Sequence, residues 1–300
     1  MPSSLIFFNL LSGATALIDD CWPNEDAIIH NLNSFKPTHF FSVPILFDRL
    51  MEHTENIAHI VERFEYTVSA GSTLSSDIFV KWKSRFSTEI LDGIGATEVG
   101  HIFISNRPGS AIPGVTGKPL YGYEVKLITN EGIEAKVNHP GELWVKGPSV
   151  SSGYNNSPQK KKDRFVNGWY KTGDKFVKDQ DSNFRFLGRV DDIFKSKGIW
   201  VHPQEIEDFL RASLNWVDEV ALIPSETEES KPILCLVKNK TSSSVEKVDF
   251  EMLDYIINTF GSHCTPKEYR ELSHFPRNEN GKILRKKLFY LEPIHVFSVV

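Results

Sequence analysis

The stretch Thr88-Glu89-Ile90-Leu91-Asp92-Gly93-Ile94-Gly95-Ala96-Thr97-Glu98 decides how the rest of the chain is read. Thr88–Leu91 predicts a β-strand and Asp92–Glu98 a glycine-rich turn. Glycine lacks a Cβ, so Gly93 and Gly95 let backbone N–H groups come close to a ligand, as in a nucleotide-binding turn. A dinucleotide fingerprint would carry a third glycine where Glu98 stands, and a carboxylate there repels a pyrophosphate. Glu98 suits a Mg2+ ion beside phosphate, because that ion takes hard oxygen ligands. The same residues read equally as a plain strand-to-helix turn with a glutamate at the helix start.

Helices and strands alternate on the N-terminal side of this stretch. Asn24 is placed to cap a helix over Glu25–Asn31, Thr38–Val43 is a β-rich run, and Pro44 opens a helix over Ile45–His53. Tyr66–Ser69 reads as a strand, and Ser75 caps a helix over Asp77–Phe86. This alternation predicts a parallel sheet in an α/β fold. From about Pro108 the texture changes to short strands, Glu124–Ile128 and Glu142–Lys146, between Gly and Pro, which predicts a small barrel or sandwich. After Gly188-Arg189 a helix over Pro203–Leu214, strands near Val220–Leu222 and Ile233–Val237, and a helix across Asp249–Phe260 predict a separate α+β domain. Thr241–Ser244 reads as a polar loop. The expected division is a larger α/β domain over 1–188, with a parallel sheet and a small β-barrel, and a smaller α+β domain over 189–300.

A chain of 300 residues, at roughly 150 per domain, accommodates this plan. Its 40% hydrophobic and 24% charged residues place it among globular proteins, away from disordered or collagen-like ones. A net charge of −5 gives no basic field for a phosphate backbone, so nucleic acid is not an expected partner and an anionic ligand must be met locally. Cys21, Cys235 and Cys264 are too few for a disulfide scaffold and lack the paired spacing of a zinc site, which predicts a reducing, cytoplasmic setting. The apolar run Leu5–Leu11 has no basic residue before it, unlike a signal peptide, and reads as a buried element. No run approaches the ~18 apolar residues of a membrane span.

Three further clusters carry possible chemistry. In Trp169-Tyr170-Lys171-Thr172-Gly173-Asp174, an ionised aspartate after a tight glycine turn can accept two hydrogen bonds from vicinal ribose hydroxyls; the ordinary reading is a structural turn. Gly188-Arg189-Val190-Asp191-Asp192-Ile193-Phe194-Lys195-Ser196-Lys197-Gly198 lies where the texture changes and suits a hinge, or else a charged β-hairpin with solvated lysines. In Pro276–Lys287, Lys282 beside Gly281 could deliver a point charge to a phosphate, or be part of a solvated basic run.

Taken in order, these four clusters resemble the adenylate-forming superfamily of acyl-coenzyme A synthetases, luciferases and peptide-synthetase adenylation domains. Ser69-Ala70-Gly71, Gly114-Val115-Thr116-Gly117-Lys118-Pro119 and Gly141-Glu142-Leu143-Trp144-Val145-Lys146-Gly147-Pro148 followed by Gly153-Tyr154 extend the match from about Leu5 to Leu288. Leu91–Glu98 with His101-Ile102-Phe103-Ile104-Ser105-Asn106-Arg107-Pro108-Gly109 is most similar to the benzoate-coenzyme A ligase branch; most other branches have Tyr where Ile94 stands.

The resemblance implies an acid–thiol ligase that joins a small carboxylate to ATP as an acyl-adenylate and then to coenzyme A, with Mg2+. It implies that Gly71, Asp92, Gly93 and Ile94 border the adenine, that Thr97 touches the α-phosphate and that Glu98 binds the metal. Asp174, helped by Arg189, would hold the ribose, and Lys282 would bridge the carboxylate and α-phosphate. Asp191 would be a hinge about which Lys282 swings out and the Lys195–Gly198 loop swings in, with Gly198 lining the pantetheine tunnel. Gly95, His101 and Ile102 would wall a flat acyl pocket. The chain departs from the pattern in showing no Ser/Thr/Gly-rich loop ending in Gly-x-Pro-Lys, in having His263-Cys264-Thr265 where relatives favour a Tyr-Lys step, and in placing Trp200 where some have arginine. The expectation is therefore a ligase lacking its front portion, weak in adenylation alone, serving as a nucleotide-binding remnant or working with a separately encoded N-terminal half, and prone to expose sheet edges. A nicotinamide oxidoreductase using Gly93 and Gly95 is the remaining alternative.

Overall fold

The computed structural model describes residues 9–17, 25–155, 158–214, 216–225, 231–239, 256–277 and 283–298. They form two compact units, Met1–Phe186 and Leu187–Val300. Asn24, Cys21, Thr241–Ser244, Lys282 and the first part of the helix expected over Asp249–Phe260 lie outside the described residues.

The first unit begins with α1 (Glu25–Phe35), β1 (His39–Ser42), α2 (Pro44–Met51), α3 (Thr54–Val61), β2 (Tyr66–Ser69), α4 (Ser76–Phe86) and β3 (Ile90–Gly95), followed by β4 (Ile102–Ser105) and β5 (Lys118–Pro119). The sheet runs in the order β1-β2-β3-β4-β5. β1, β2 and β3 are parallel, as the helical crossovers require; β4 pairs antiparallel with β3, and β5 antiparallel with β4. Pro44 stands at the first turn of α2, where its missing N–H costs nothing. Ser75 caps α4 by accepting from the Ile78 N–H at 3.2 Å, and Ser87 ends the helix in the left-handed region. Ile78, Phe79, Trp82 and Phe86 fall on one helical face and pack with Phe47, Leu50, Ile57, Ile60 and Ile90. The Trp82 indole N–H donates to Thr88 Oγ1 at 3.0 Å, so the largest buried ring keeps its polar atom satisfied.

The same unit continues as a β-structure: β6 (Glu124–Ile128), β7 (Gly141–Lys146), α5 (Pro158–Arg164), β8 (Phe165–Val166), β9 (Trp169–Lys178) and the start of β10 (Phe184–Arg189), whose last three residues belong to the second unit. Its sheet has the order β10-β9-β7-β6, with β8 on β9. Leu127, Leu143, Val145, Tyr170, Phe176 and Phe184 point inward, and Phe103 and Ile104 of β4 join them. On the other face Lys126 Nζ lies 4.1 Å from the Trp169 ring centroid and Lys171 Nζ 4.8 Å from that of Trp144. Ammonium groups over indoles let this face meet water with two tryptophans on it.

In the second unit β11 (Phe194–Ser196) and β12 (Ile199–Val201) form a hairpin whose turn, Lys197-Gly198, has φ of 51° and 77°. Two successive positive φ values are what a tight two-residue hairpin turn demands, so the hairpin reading of this cluster holds locally. α6 (Pro203–Ser213) then packs Ile206 and Leu210 on Val220, Leu222 and Leu234. β13 (Val217–Ile223), β14 (Ile233–Lys238), β15 (Glu268–Glu271) and β16 (His295–Ser298) make a sheet in that order. Arg285 clasps the Glu207 carboxylate of α6 through two nitrogens at 2.5 Å each, with Asp192 Oδ2 at 3.6 Å.

Three expectations are corrected. Asp92–Gly95 are not a turn: they extend β3, and Gly93, Ile94 and Gly95 pair with Ser105, Ile104 and Ile102 of β4. Glycine is needed at 93 for closeness, since a Cβ there would lie 2.9 Å from Ile102 Cγ2; the turn itself spans residues 96–100. Thr172-Gly173-Asp174 is likewise no turn but a bulge within β9, where the three residues together oppose Leu143 and Gly173 takes a φ of 74°. Finally, Leu10 and Leu11 sit on a helical turn over 9–12 and are 74% and 87% exposed, not buried, because among the described residues none packs over them.

Candidate active site

The carboxyl ends of parallel strands are where open α/β sheets bind ligands, because the crossovers leave a crevice there. β2 ends at Ser69 and β3 carries Asp92 directly beside it. Ser69 is fully buried, and its Oγ has no hydrogen-bond partner among the described residues. Asp92 is 8% exposed. Burial pushes its carboxyl up to about 7, against hydrogen bonds from the Thr116 hydroxyl and the Gly93 and Leu74 N–H groups that favour the ionised form. The backbone leaves β2 through Gly71, at a φ of 94°.

Beyond Asp92, the glycine-edged strand lies against β4. Gly93 and Gly95 face Ile102 closely, so this trio is brought together, with half-buried His101 alongside. Burial lowers the His101 pKa, which keeps its imidazole neutral at pH 7. In the turn that follows, Thr97 is exposed and Glu98 half-buried. The Tyr154 hydroxyl donates to Glu98 Oε1 at 2.6 Å. Tyr170 also bonds to Glu98 and Tyr154; its own burial, and then the Glu98 charge, push its ionisation upward. The Ser151 N–H donates to the Glu98 carbonyl at 2.7 Å, and Ser149 Oγ donates to the Val99 carbonyl at 2.6 Å.

Asp174 is half-buried on the β9 bulge, its N–H donating to Thr172 Oγ1 at 3.0 Å while Thr172 Oγ1 donates to the Leu143 carbonyl at 2.9 Å. In the second unit Arg189 is half-buried at the end of β10, Asp191 is exposed, Gly198 forms the hairpin turn, and Lys195 Nζ lies 5.2 Å over Trp200. Ile94 is half-buried against the β-structure core.

Sequence reasoning did not single out Thr116, Ser149, Ser151, Tyr154 or Tyr170 for the roles they have here. Thr116 and Tyr154 lie in tracts that had been matched without a function, and that unassigned match was the available signal. Gly117, in the same tract as Thr116, explains its presence sterically: a Cβ would lie 2.2 Å from the Ser105 carbonyl oxygen.

Among the described residues no group of three His, Cys, Asp or Glu side chains could hold a metal ion. Glu98 is thus a single anchored carboxylate, and an ion here would take its other ligands from water and phosphate. That donor set fits Mg2+, which keeps waters and uses one or two carboxylates with substrate phosphates.

A family profile described as AMP-binding enzyme matches residues 3–155. The chain is 37% identical over 291 residues to anthranilate–CoA ligase of Pseudomonas aeruginosa, covering 95% of this chain and 55% of that protein. It is 33% identical over 286 residues to benzoate–CoA ligase of Thauera aromatica, covering 94% and 54%. Among solved structures, a benzoate CoA ligase from Burkholderia xenovorans LB400 superposes with a TM-score of 0.83 at 31% identity, covering 94% of this chain and 57% of that one. The anthranilate CoA ligase AuaEII, in complex with anthranoyl-AMP, gives 0.82 at 29%, covering 95% and 55%. By fold the molecule is one of the adenylate-forming α/β proteins. The chain belongs to the AMP-binding enzyme family, and it spans about half the length of the curated relatives it matches.

Proposed function

We propose that the chain carries the nucleotide- and acid-binding part (1–188) and the mobile C-terminal domain (189–300) of an ATP-dependent acid–thiol ligase acting on an aryl or similar small carboxylate. In the reaction the substrate carboxylate attacks the α-phosphorus of ATP, releasing pyrophosphate and forming an acyl-adenylate; the coenzyme A thiolate then displaces AMP to give the thioester. Mg2+, when bound, neutralises phosphate charge. Asp92, Gly71, Gly93 and Ile94 border the adenine, and the buried, unpartnered Ser69 Oγ supports a polar ligand at this edge. Thr97, exposed on its turn, meets the α-phosphate and Glu98 faces the ion. Asp174, with Arg189, takes the ribose hydroxyls. Gly95, His101 and Ile102 wall the acid; the neutral imidazole and the buried isoleucine favour the flat apolar ring of benzoate or anthranilate, the acids named for the relatives. Lys282 supplies the cation for adenylation, and rotation at Asp191 replaces it with the Lys195–Gly198 hairpin for thioester formation. The free, buried Cys235 and Cys264 support action in a reducing, cytoplasmic compartment.

The observation that carries this reading is the arrangement at the end of β3: a buried Asp92, a glycine edge closed by Ile102, and one anchored carboxylate just beyond. Titration calorimetry with AMP tests it. Binding that weakens at least about tenfold in Asp174→Ala supports the assignment; absence of AMP binding by the unaltered chain refutes it. Benzoate- or anthranilate-dependent pyrophosphate exchange then separates a ligase from a protein that holds nucleotide without turnover.

A further inference from the structure

The tract Gly147–Tyr154 is left without a role by the reading above, yet it makes three separate bonds to the turn over 96–100. Tyr154 holds the Glu98 carboxylate at 2.6 Å, the Ser151 N–H holds the Glu98 carbonyl at 2.7 Å, and Ser149 Oγ holds the Val99 carbonyl at 2.6 Å. Ser149 is itself fixed by the Tyr123 hydroxyl at 2.7 Å. The Tyr154 ring is edge-on to Phe165, centroids 5.6 Å apart, and Phe165 packs on Tyr170 at 5.1 Å. Side chain and backbone of one glutamate are therefore both gripped from a loop more than fifty residues away in sequence. A carboxylate that only filled space would not need its rotamer and its peptide plane pinned together. A carboxylate that must meet an ion at a set position does, because outer partners orient metal-binding groups.

We propose that Tyr154 is a positioning residue for Glu98, and that the Gly147–Tyr154 loop sets where this carboxylate meets the magnesium ion of the bound nucleotide. The inference rests on the assignment of Glu98 made above. The phenol donates its proton to Glu98 throughout and takes no part in bond making.

The test is titration calorimetry of the full chain with ATP at a series of Mg2+ concentrations, and with AMP in metal-free buffer. Tyr154→Phe keeps the ring on Phe165 and removes the hydroxyl, which holds Glu98 and also meets Tyr170. It should raise the Mg2+ concentration for half-maximal ATP affinity by about tenfold, the low end of outer-partner effects, and leave AMP affinity within about twofold. Ser149→Ala, which frees the Val99 carbonyl, should move the Mg2+ requirement the same way. An unchanged Mg2+ requirement in Tyr154→Phe, or an equal loss of AMP affinity, overturns the proposal. Glu98→Gln separates the two levels: if it leaves the Mg2+ requirement unmoved, the assignment of Glu98 falls; if it shifts it while Tyr154→Phe does not, only the positioning role falls. Failure of the unaltered chain to bind ATP at any Mg2+ concentration overturns both.

Discussion

Replacing Asp92 by Asn should change how the stability of the first unit depends on pH. Burial holds the folded carboxyl at about 7, against 3.8 when exposed. A raised carboxyl pKa means that the folded state keeps a proton which the unfolded chain has already lost, so stability falls as pH rises from about 4 and levels off above about 7. At 1.36 kcal/mol per pH unit, the cost to the wild-type fold is about 2 kcal/mol at pH 5.5 and about 4 kcal/mol at pH 8.5. Wild type should therefore lose about 2 kcal/mol more than Asp92→Asn between those two pH values. Asparagine will satisfy the Gly93 and Leu74 N–H groups and Thr116 less well than a carboxylate, but that penalty does not vary with pH and drops out of the comparison. His101 titrates in both proteins and cancels too. Asp208, raised to about 6 by burial, has the same sign but belongs to the second unit. Urea unfolding read by hydrogen exchange in peptides covering 66–95 reports the Asp92 sheet directly. Parallel pH profiles for the two proteins would refute the reasoning, because they would mean that Asp92 is ionised in the fold.

Arg285→Met leaves Glu207, 1% exposed, as an uncompensated buried charge and should cost the second unit about 3–5 kcal/mol in urea unfolding. Trp82→Ala empties the centre of the helix layer and should cost about 3–5 kcal/mol by the same measurement. Gly117→Ala forces a methyl into the Ser105 carbonyl at a φ of 111°, and should destabilise by at least the 1–3 kcal/mol typical of overpacking, seen as a lowered Tm. Lys282→Ala should suppress acyl-adenylate formation while sparing thioester formation from supplied acyl-adenylate; equal loss of both half-reactions would count against its assigned role.

Much of the architecture was legible because local signals and burial agree. Ser75 caps its helix as its position suggests, Pro44 opens the helix over Pro44–Met51, and Tyr66–Ser69 is a strand with the predicted bounds. The glycine-rich stretch was misread because glycine serves two physical ends, a positive φ or a close approach, and composition does not distinguish them. At 93 the demand is closeness to Ile102, so the strand runs on; at 173 the φ is positive, but inside a bulge that only the partner strand reveals. The tyrosine clamp on Glu98 joins residues remote in sequence, so no periodicity or spacing announces it. Leu10 and Leu11 show the converse: an apolar run states a preference for burial, while the neighbours present decide whether it is met.

The close fit of Gly93 against Ile102 also constrains how this protein can change by successive mutations. A Cβ at 93 would meet Ile102 Cγ2 at 2.9 Å, Ile102 Cδ1 at 3.1 Å and Ser105 Oγ at 3.3 Å, so a larger residue there requires these neighbours to give. Growth at 93 thus depends on room made first on β4, at Ile102 and beside Ser105, so the two strands constrain each other's side chains at this edge.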